Sequence, residues 1–359
     1  MKKTVMIRAD ASEIIGSGHI MRCLVLADEL QNHGVEVIFI CRTLQGDLSE
    51  YITKRGFRVL SISTQEHLSI SNQDIEIDFI IDQIQNLHLD PSWLIVDHYE
   101  IDESWELALR KYVKRILVID DLANRKHNAD ILMDQNLIEN GEARYHNLVP
   151  STCELYVGPQ YLLLRSSFYK QRKVVKKRSG KVKEVLLFFG GSDPTNETQK
   201  IMDSIQNDIF SNLHFNLIIG NSYAYQTSIV QQCATLAHVQ LYIQTENMAE
   251  IIATSDFCIG AGGSAMWERC FLGLPSAVTI VANNQYPSVS MAERLGIIWN
   301  LGNHEQINSS HYTDILLRAM SSPLDLINMS KHALEVLENE TSSEQNIITS
   351  IILKKMDQI

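Results

Sequence analysis

The sequence predicts an α/β protein made of two Rossmann-like, doubly wound domains in tandem, with a ligand cleft between them. Three observations predict it. Short apolar runs of strand length alternate with stretches whose apolar residues recur at helical spacing. The alternation starts afresh after a basic stretch in mid-chain, Gln171 to Lys183. Glycine-rich turns follow three of the strands, on the side where open parallel sheets bind ligands. At 359 residues the chain is long enough for two domains of ordinary size.

Thr4 to Ile7 reads as a buried first strand, followed by Gly16-Ser17-Gly18 and a helix with Ile20, Cys23, Leu24, Ala27 and Leu30 on one face. Gly34 ends that helix. Val35 to Cys41 and Arg58 to Ile62 are the next strands, and residues 63 to 92 are polar and weakly periodic, with no element assigned. Trp93 to Val96 is a strand with Asp97-His98-Tyr99 at its carboxyl end, and Asp102 caps a helix running to Tyr112. Arg115 to Ile119 ends at Asp120-Asp121, and short strands near Ile131-Leu132 and Leu155 to Val157 complete the sheet. This gives an N-terminal domain over 1–170 and a solvated basic linker over 171–183.

The second domain is expected over 184–340. Its strands are Glu184 to Phe189, Leu213 to Ile219, Val239 to Ile243, Asp256 to Ile259 and Pro275 to Ile280. Helices open near Thr195, after Gly262-Gly263-Ser264 and at Asn284. Two more, Asp325 to Leu337 and Ser343 to Lys355, the second within a C-terminal segment, 341–359, carry apolar stripes that suit packing, and one of the two is able to cross back to the first domain.

Composition narrows the function. A net charge of −12 argues against a nucleic-acid partner. An anionic substrate must then be held by local dipoles and a few cations, not by the overall field. The six cysteines are scattered without a Cys-x-x-Cys pair and read as buried thiols of a reducing compartment. The first apolar run is too short and too soon followed by charge for a signal peptide, and no uncharged run approaches the roughly 18 residues of a membrane span. The expected location is the cytoplasm.

The candidate chemistry lies at the glycine turns. His19 stands in the first turn of a helix, where an imidazole can take a proton near neutral pH. The loop before it lacks the third glycine of a dinucleotide fingerprint and the Gly-Lys-Ser/Thr of a phosphate loop. Gly190-Gly191-Ser192 and Gly262-Gly263-Ser264, each read as opening a helix, suit a diphosphate. Glu268, one turn further on, suits a ribose diol, and Asn283-Asn284-Gln285 suits sugar hydroxyls or acetamido groups. Each also has a structural reading as a turn, a cap or a surface carboxylate. Asp120-Asp121 invites a metal, but no further cluster of oxygen ligands accompanies it.

A set of motifs recurs in order: Arg8-Ala9-Asp10 with Gly16 to Cys23, Asp97-His98-Tyr99, Ile119 to Ala123, Asp134-Gln135-Asn136, Phe189 to Pro194, Gly262-Gly263-Ser264 with Trp267 to Cys270, Leu272 to Pro275, and Asn284-Gln285. Together they resemble the UDP-2,4-diacetamido-2,4,6-trideoxy-β-L-altropyranose hydrolases of pseudaminic acid biosynthesis, spore-coat polysaccharide homologues included. The match runs from about residue 4 to about residue 300. The resemblance implies a GT-B fold, distantly similar to the lipid-linked N-acetylglucosamine transferase of peptidoglycan synthesis. It implies removal of UDP by water attack at the anomeric carbon, with C–O cleavage and inversion, and with no metal or other cofactor. By resemblance His19 is the catalytic base. Tyr99 and Asn284 line the sugar site, with Asp10, Gly18, Arg22 and Gln285 on the substrate side. Gly262, Gly263, Ser264 and Glu268 match the nucleotide site, joined by Gly191 and Ser192. The partner is a small UDP-linked sugar, with no nucleic acid and no membrane span. A His-bearing loop of this kind also occurs in GT-B transferases, so a transferase with a UDP-sugar donor stands beside the hydrolase. A hydrolysing 2-epimerase is a weaker variant, because no carboxylate pair is placed for C2. A non-catalytic nucleotide-sugar-binding protein is the third class, and His19 in its loop counts against it.

Overall fold

In the computed structural model, which describes residues 3–63, 72–338 and 345–358, the chain forms two units, Met1–Leu163 with Gln345–Ile359, and Leu164–Glu344. The first contains β1 (Thr4–Ala9), α1 (Gly18–Asn32), β2 (Glu36–Arg42), α2 (Ser49–Lys54), β3 (Arg58–Ile62), α3 (Asn72–Asn86), β4 (Pro91–Asp97), α4 (Glu103–Leu109), β5 (Arg115–Ile119), β6 (Ile131–Asp134) and β7 (Glu154–Val157). All seven strands are parallel, in the order β3-β2-β1-β4-β5-β6-β7. β1 and β4 are buried along their whole length, which is why they read as unbroken apolar runs.

Alternate residues serve opposite layers. Val5, Ile7, Trp93 and Ile95 pack with Cys23, Leu24, Ala27 and Leu30 of α1. Met6, Leu94 and Val96 pack on the other face with Ile80, Trp105 and Leu109. α3 occupies the stretch where the sequence assigned no element. Its pattern is masked because Glu76, 1 % exposed, holds an inward position that an apolar residue would normally take. The cap read at Asp102 is present: its carboxylate accepts from the Ser104 N–H at 3.0 Å.

The second unit contains α5 (Ser166–Val174), β8 (Glu184–Phe188), α6 (Glu197–Ile205), β9 (His214–Ile219), α7 (Gln226–Cys233), β10 (Val239–Ile243), α8 (Met248–Thr254), β11 (Phe257–Ala261), α9 (Ser264–Phe271), β12 (Ser276–Ile280), α10 (Tyr286–Arg294), β13 (Trp299–Asn303), α11 (Ser309–Ser321) and α12 (Pro323–Val336). Its six parallel strands run β10-β9-β8-β11-β12-β13, the order of a dinucleotide-binding sheet. Both sheets reverse direction of growth at one pair of strands, β1/β4 in the first and β8/β11 in the second. Ligands of such sheets sit outside the carboxyl ends of that pair.

The basic run is more than a solvated connector. The unit boundary falls ahead of it, at Leu163/Leu164, and its first residues lie in α5. Arg178 Nη2 donates to the Ile252 carbonyl at 3.0 Å and Nη1 to the Ala253 carbonyl at 3.1 Å, closing the end of α8. Arg172 reaches the carbonyls of Phe271 and Leu334. Unpaired helix-end carbonyls attract cations, so these arginines fold inward while the lysines between them stay exposed. Burial lowers the Arg178 guanidinium to about 10.

After α12, α13 (Ile347–Met356) returns to the first unit. Ile348, Ile352 and Met356 join the core beside α1, and Asn346 Nδ2 donates to Glu29 Oε1 at 2.6 Å. Ile352→Ala should therefore cost about 2–5 kcal/mol of unfolding free energy in urea, against less than about 0.5 kcal/mol for Ser350→Ala on the exposed face.

Candidate functional site

In the first unit the residues at the switch strands form a buried charge network. Arg8, on β1, uses both edges of its guanidinium. Nη1 and Nη2 donate to Asp10 at 2.5 and 2.9 Å, while Nε and Nη2 donate to Glu76 at 2.7 and 3.0 Å. The Arg42 backbone N–H donates to Asp10 Oδ1 at 2.8 Å. His98 lies 3.0 Å from Asp10 through Nε2. Its Nδ1 accepts from the Glu100 N–H at 3.1 Å, which fixes the proton on Nε2 and makes that nitrogen the donor to Asp10. Burial works against the Asp10 carboxylate, but the His98 hydrogen bond and Arg8 hold it far below the usual range. With its oxygens engaged in this way, Asp10 is a bracing residue of the first sheet.

Arg22 and Asp97 make the second fork. Nε donates to Asp97 Oδ2 at 2.6 Å and Nη2 to Oδ1 at 2.5 Å, which ties the first turns of α1 to the end of β4. Burial opposes the Asp97 charge, yet Arg22 and then His19 keep its carboxylate below the ordinary value. His19 is 7 % exposed. Its Nε2 lies 3.9 Å from Asp97 Oδ1, beyond a hydrogen bond, and its ring meets the Tyr99 ring at a right angle with centroids 4.6 Å apart. Burial lowers the imidazole below its ordinary value, Asp97 opposes this and Arg22 adds to it, so the ring is neutral at pH 7 and able to accept a proton. Gly18 is the first residue of α1, and no side chain caps that helix end.

Asp120 and Asp121 do not converge. Asp120 takes Arg125 Nη1 at 2.7 Å and the Ala123 N–H at 2.8 Å. Asp121 turns toward the His19 cluster, where Oδ2 accepts from the Tyr99 hydroxyl at 3.3 Å and from Arg22 Nη1 at 3.4 Å. Its other oxygen, Oδ1, is buried without a partner, an acceptor available to an N–H or O–H brought into the cluster. Burial and then Asp121 push the Tyr99 phenol up, so it stays a hydrogen-bond donor.

In the second unit the glycine turns lie at the ends of the paired strands β8 and β11. The sequence reading of two helix N-termini needs correction here. Gly190-Gly191-Ser192 does not open α6. The chain turns through Asp193, whose carboxylate accepts from the Glu197 and Thr198 N–H groups at 3.0 and 2.8 Å. That helix end already holds an anion of its own. The end of α9 is different: Gly263 is its cap residue and supplies no side-chain bond, and Ser264 is the first helical residue. A Cβ on Gly262 would fall 2.4 Å from Val289, so only glycine lets the turn lie there. Gln285 Oε1 accepts from the N–H groups of Gly262 and Val281 at 3.3 and 3.1 Å, which makes this side chain a splint for the turn. Asn284 sits half-buried beside it, in the turn between β12 and α10. Glu268, half-buried on α9, makes no ion pair among the described residues; burial raises its carboxyl, with Arg165 and Arg269 opposing.

The structure thus gathers Asp10, Gly18, His19, Arg22 and Tyr99 at one sheet edge, and Gly191, Ser192, Gly262, Gly263, Ser264, Glu268, Asn284 and Gln285 around the switch strands of the other. Sequence reasoning did not single out Glu76 or Arg42 in the first cluster, and it held Arg269 of the second only as part of a motif, with no role. Asp97 and Asp121 were visible at strand ends, though not as the partners of Arg22.

Asp97→Asn takes away the two-pronged counter-charge of Arg22 and leaves it only the 3.4 Å contact with Asp121, and a loss of about 3–5 kcal/mol in chemical denaturation is expected. The depressed carboxyls of Asp10 and Asp97 contribute stability that is fully present above their ordinary value of 3.8 and is lost as pH falls through their folded values. The acid-side slope of unfolding free energy against pH should therefore be shallower in Asp97→Asn.

The glycosyltransferase family 28 C-terminal domain matches residues 185–296. An uncharacterized protein of Methanocaldococcus jannaschii is 30 % identical over 285 residues, 76 % of this chain; the chain spans only 55 % of that relative's length. The UDP-2,4-diacetamido-2,4,6-trideoxy-β-L-altropyranose hydrolase of Campylobacter jejuni is 28 % identical over 296 residues, 81 % of this chain and 96 % of that protein. The spore coat polysaccharide biosynthesis protein SpsG of Bacillus subtilis is 24 % identical over 334 residues, 90 % of this chain and 91 % of its own. Among solved structures, MurG of Acinetobacter baumannii superposes with a TM-score of 0.61 at 13 % identity, covering 99 % of this chain and 100 % of that one. The fold is GT-B, with two Rossmann-like domains.

Proposed function

We propose, from the chain's place among the relatives of the diacetamido-sugar hydrolases and spore-coat polysaccharide proteins, that it is an enzyme acting on a UDP-linked sugar. The finer reading is hydrolysis of a nucleotide-activated 2,4-diacetamido-2,4,6-trideoxy sugar, in nonulosonic acid or surface polysaccharide biosynthesis. The observation that carries it is the state of His19: a neutral imidazole at the ligand edge of the first sheet, held beside Asp97 without a hydrogen bond that would occupy it.

In this reading the first unit supplies the base and the second holds the diphosphate. His19 takes a proton from water, and the water oxygen bonds to the anomeric carbon on the face opposite the leaving group. The C–O bond breaks with inversion, and its electron pair leaves on UDP. The free amides at the start of α9 stabilise that charge, a role requiring no metal. Glu268 receives the ribose hydroxyls. In the first unit Tyr99 and the unpaired oxygen of Asp121 are the groups offered to the sugar, braced by Arg22 and Asp10; in the second Asn284 is offered to it, beside the turn that Gln285 splints.

The assay is release of UDP from the UDP-sugar with no acceptor present. Turnover is expected, unaffected by chelator, with heavy oxygen from water entering the sugar. His19→Ala should lower kcat by about 10²–10⁴-fold. Because burial lowers the His19 pKa, the acid limb of kcat/KM should lie below pH 6.5, the ordinary value for histidine. Label in UDP defeats the C–O cleavage. The match to a glycosyltransferase C-terminal domain favours a transferase as the second reading, and turnover that appears only when an acceptor is added selects it.

A further inference from the structure

Arg269 is 1 % exposed, on the last turn of α9. Helical side chains lean toward the helix N-terminus, and this one runs back to the end of β11. Nη2 donates to the Ala261 carbonyl at 2.7 Å, immediately before the Gly262-Gly263-Ser264 turn. The fit is close: a Cβ on Gly260 would stand 3.2 Å from Nη1. Nε and Nη1 are buried with no hydrogen-bond partner, and no carboxylate pairs with the group among the described residues. Glu268, next in sequence, feels this charge without forming an ion pair with it.

Three features make this an unfavourable place for a cation. A guanidinium stays charged, and burying a charge without a partner is costly. Two of its three nitrogens are left unsatisfied, each with its own desolvation cost. It also sits toward the positive end of α9, where the aligned peptide dipoles amount to about +0.5 of an elementary charge. The first and third of these terms lessen or change sign once an anion occupies the uncapped start of the helix. The other buried arginines in the two clusters, Arg8 and Arg22, are each gripped by carboxylates of the protein itself. Arg269 alone among these three is left unneutralised, and it lies under the turn that has no cap.

We propose that Arg269 is a positioning residue whose buried charge is neutralised by the diphosphate of the substrate, so that the second unit selects a nucleoside diphosphate over the uncharged nucleoside. This rests on the reading that the second unit binds UDP. The charge is fixed before the ligand arrives and needs no rearrangement to act on it. Its contact is with the Ala261 backbone, so it works through the turn and through the field, not by touching the reacting atoms.

The test is calorimetric titration of the wild-type chain, Arg269→Met and Arg269→Lys with UDP and with uridine, together with a thermal melt of each without ligand. The expected result is a fall of at least tenfold in the UDP-to-uridine affinity ratio for Arg269→Met. Uridine affinity should hold, the ligand-free melting temperature should be unchanged or raised, and Arg269→Lys should keep most of the preference. An unchanged ratio in Arg269→Met overturns the proposal. So does a ligand-free Arg269→Met chain that fails to fold, because the buried charge must be a cost in that state. Loss of the preference in Arg269→Lys overturns it as well. A wild-type chain that binds neither UDP nor uridine instead defeats the UDP reading on which the proposal stands.

Discussion

The fork between Arg22 and Asp97 is the interaction on which the first unit's candidate site depends. It joins the start of α1 to the end of β4, the two elements that flank the switch point. Both partners are buried, so neither can be lost without leaving a charge in a low-dielectric interior. The fork also uses up Asp97. Had that carboxylate been free, it would have taken His19 as a charged partner and raised its pKa. With Arg22 in place, the imidazole is left neutral beside an ion pair that is already complete.

The two units treat charge in opposite ways. In the first, every buried cation of the cluster has a carboxylate, and the lattice from Arg8 through Asp10 to His98 is closed by hydrogen bonds. Such a lattice fixes geometry and presents little net field. In the second, the glycine turn of α9 is uncapped and the guanidinium beneath it is unpaired. Asp193 makes the contrast sharper, because it fills the start of α6 with the protein's own anion. One helix end is closed by the fold, and the other is left positive.

Much of this was legible in the chain. The buried parallel strands announced themselves as apolar runs, since both faces of β1 and β4 are covered. Asp102 showed as a cap from its place before a helical pattern. α3 was hidden because Glu76 occupies a core-facing position, and it does so only because Arg8 waits on a strand far away in sequence. The basic run read as solvated for a similar reason: its arginines donate to carbonyls of α8 and α9 that no local pattern connects to them.

The sequence by itself determined the class of fold, the alternation that builds two parallel sheets, and the glycine turns and imidazole at strand ends. These follow from local periodicity and from the few backbone conformations that glycine alone adopts freely. Only the tertiary structure decided which charges are paired. It gave Asp97 to Arg22, turned Asp120 and Asp121 apart, filled one helix end with Asp193 and left Arg269 without a partner. Pairing is a matter of distance between residues remote in the chain, and burial multiplies its consequences, so no reading of spacing could have supplied it.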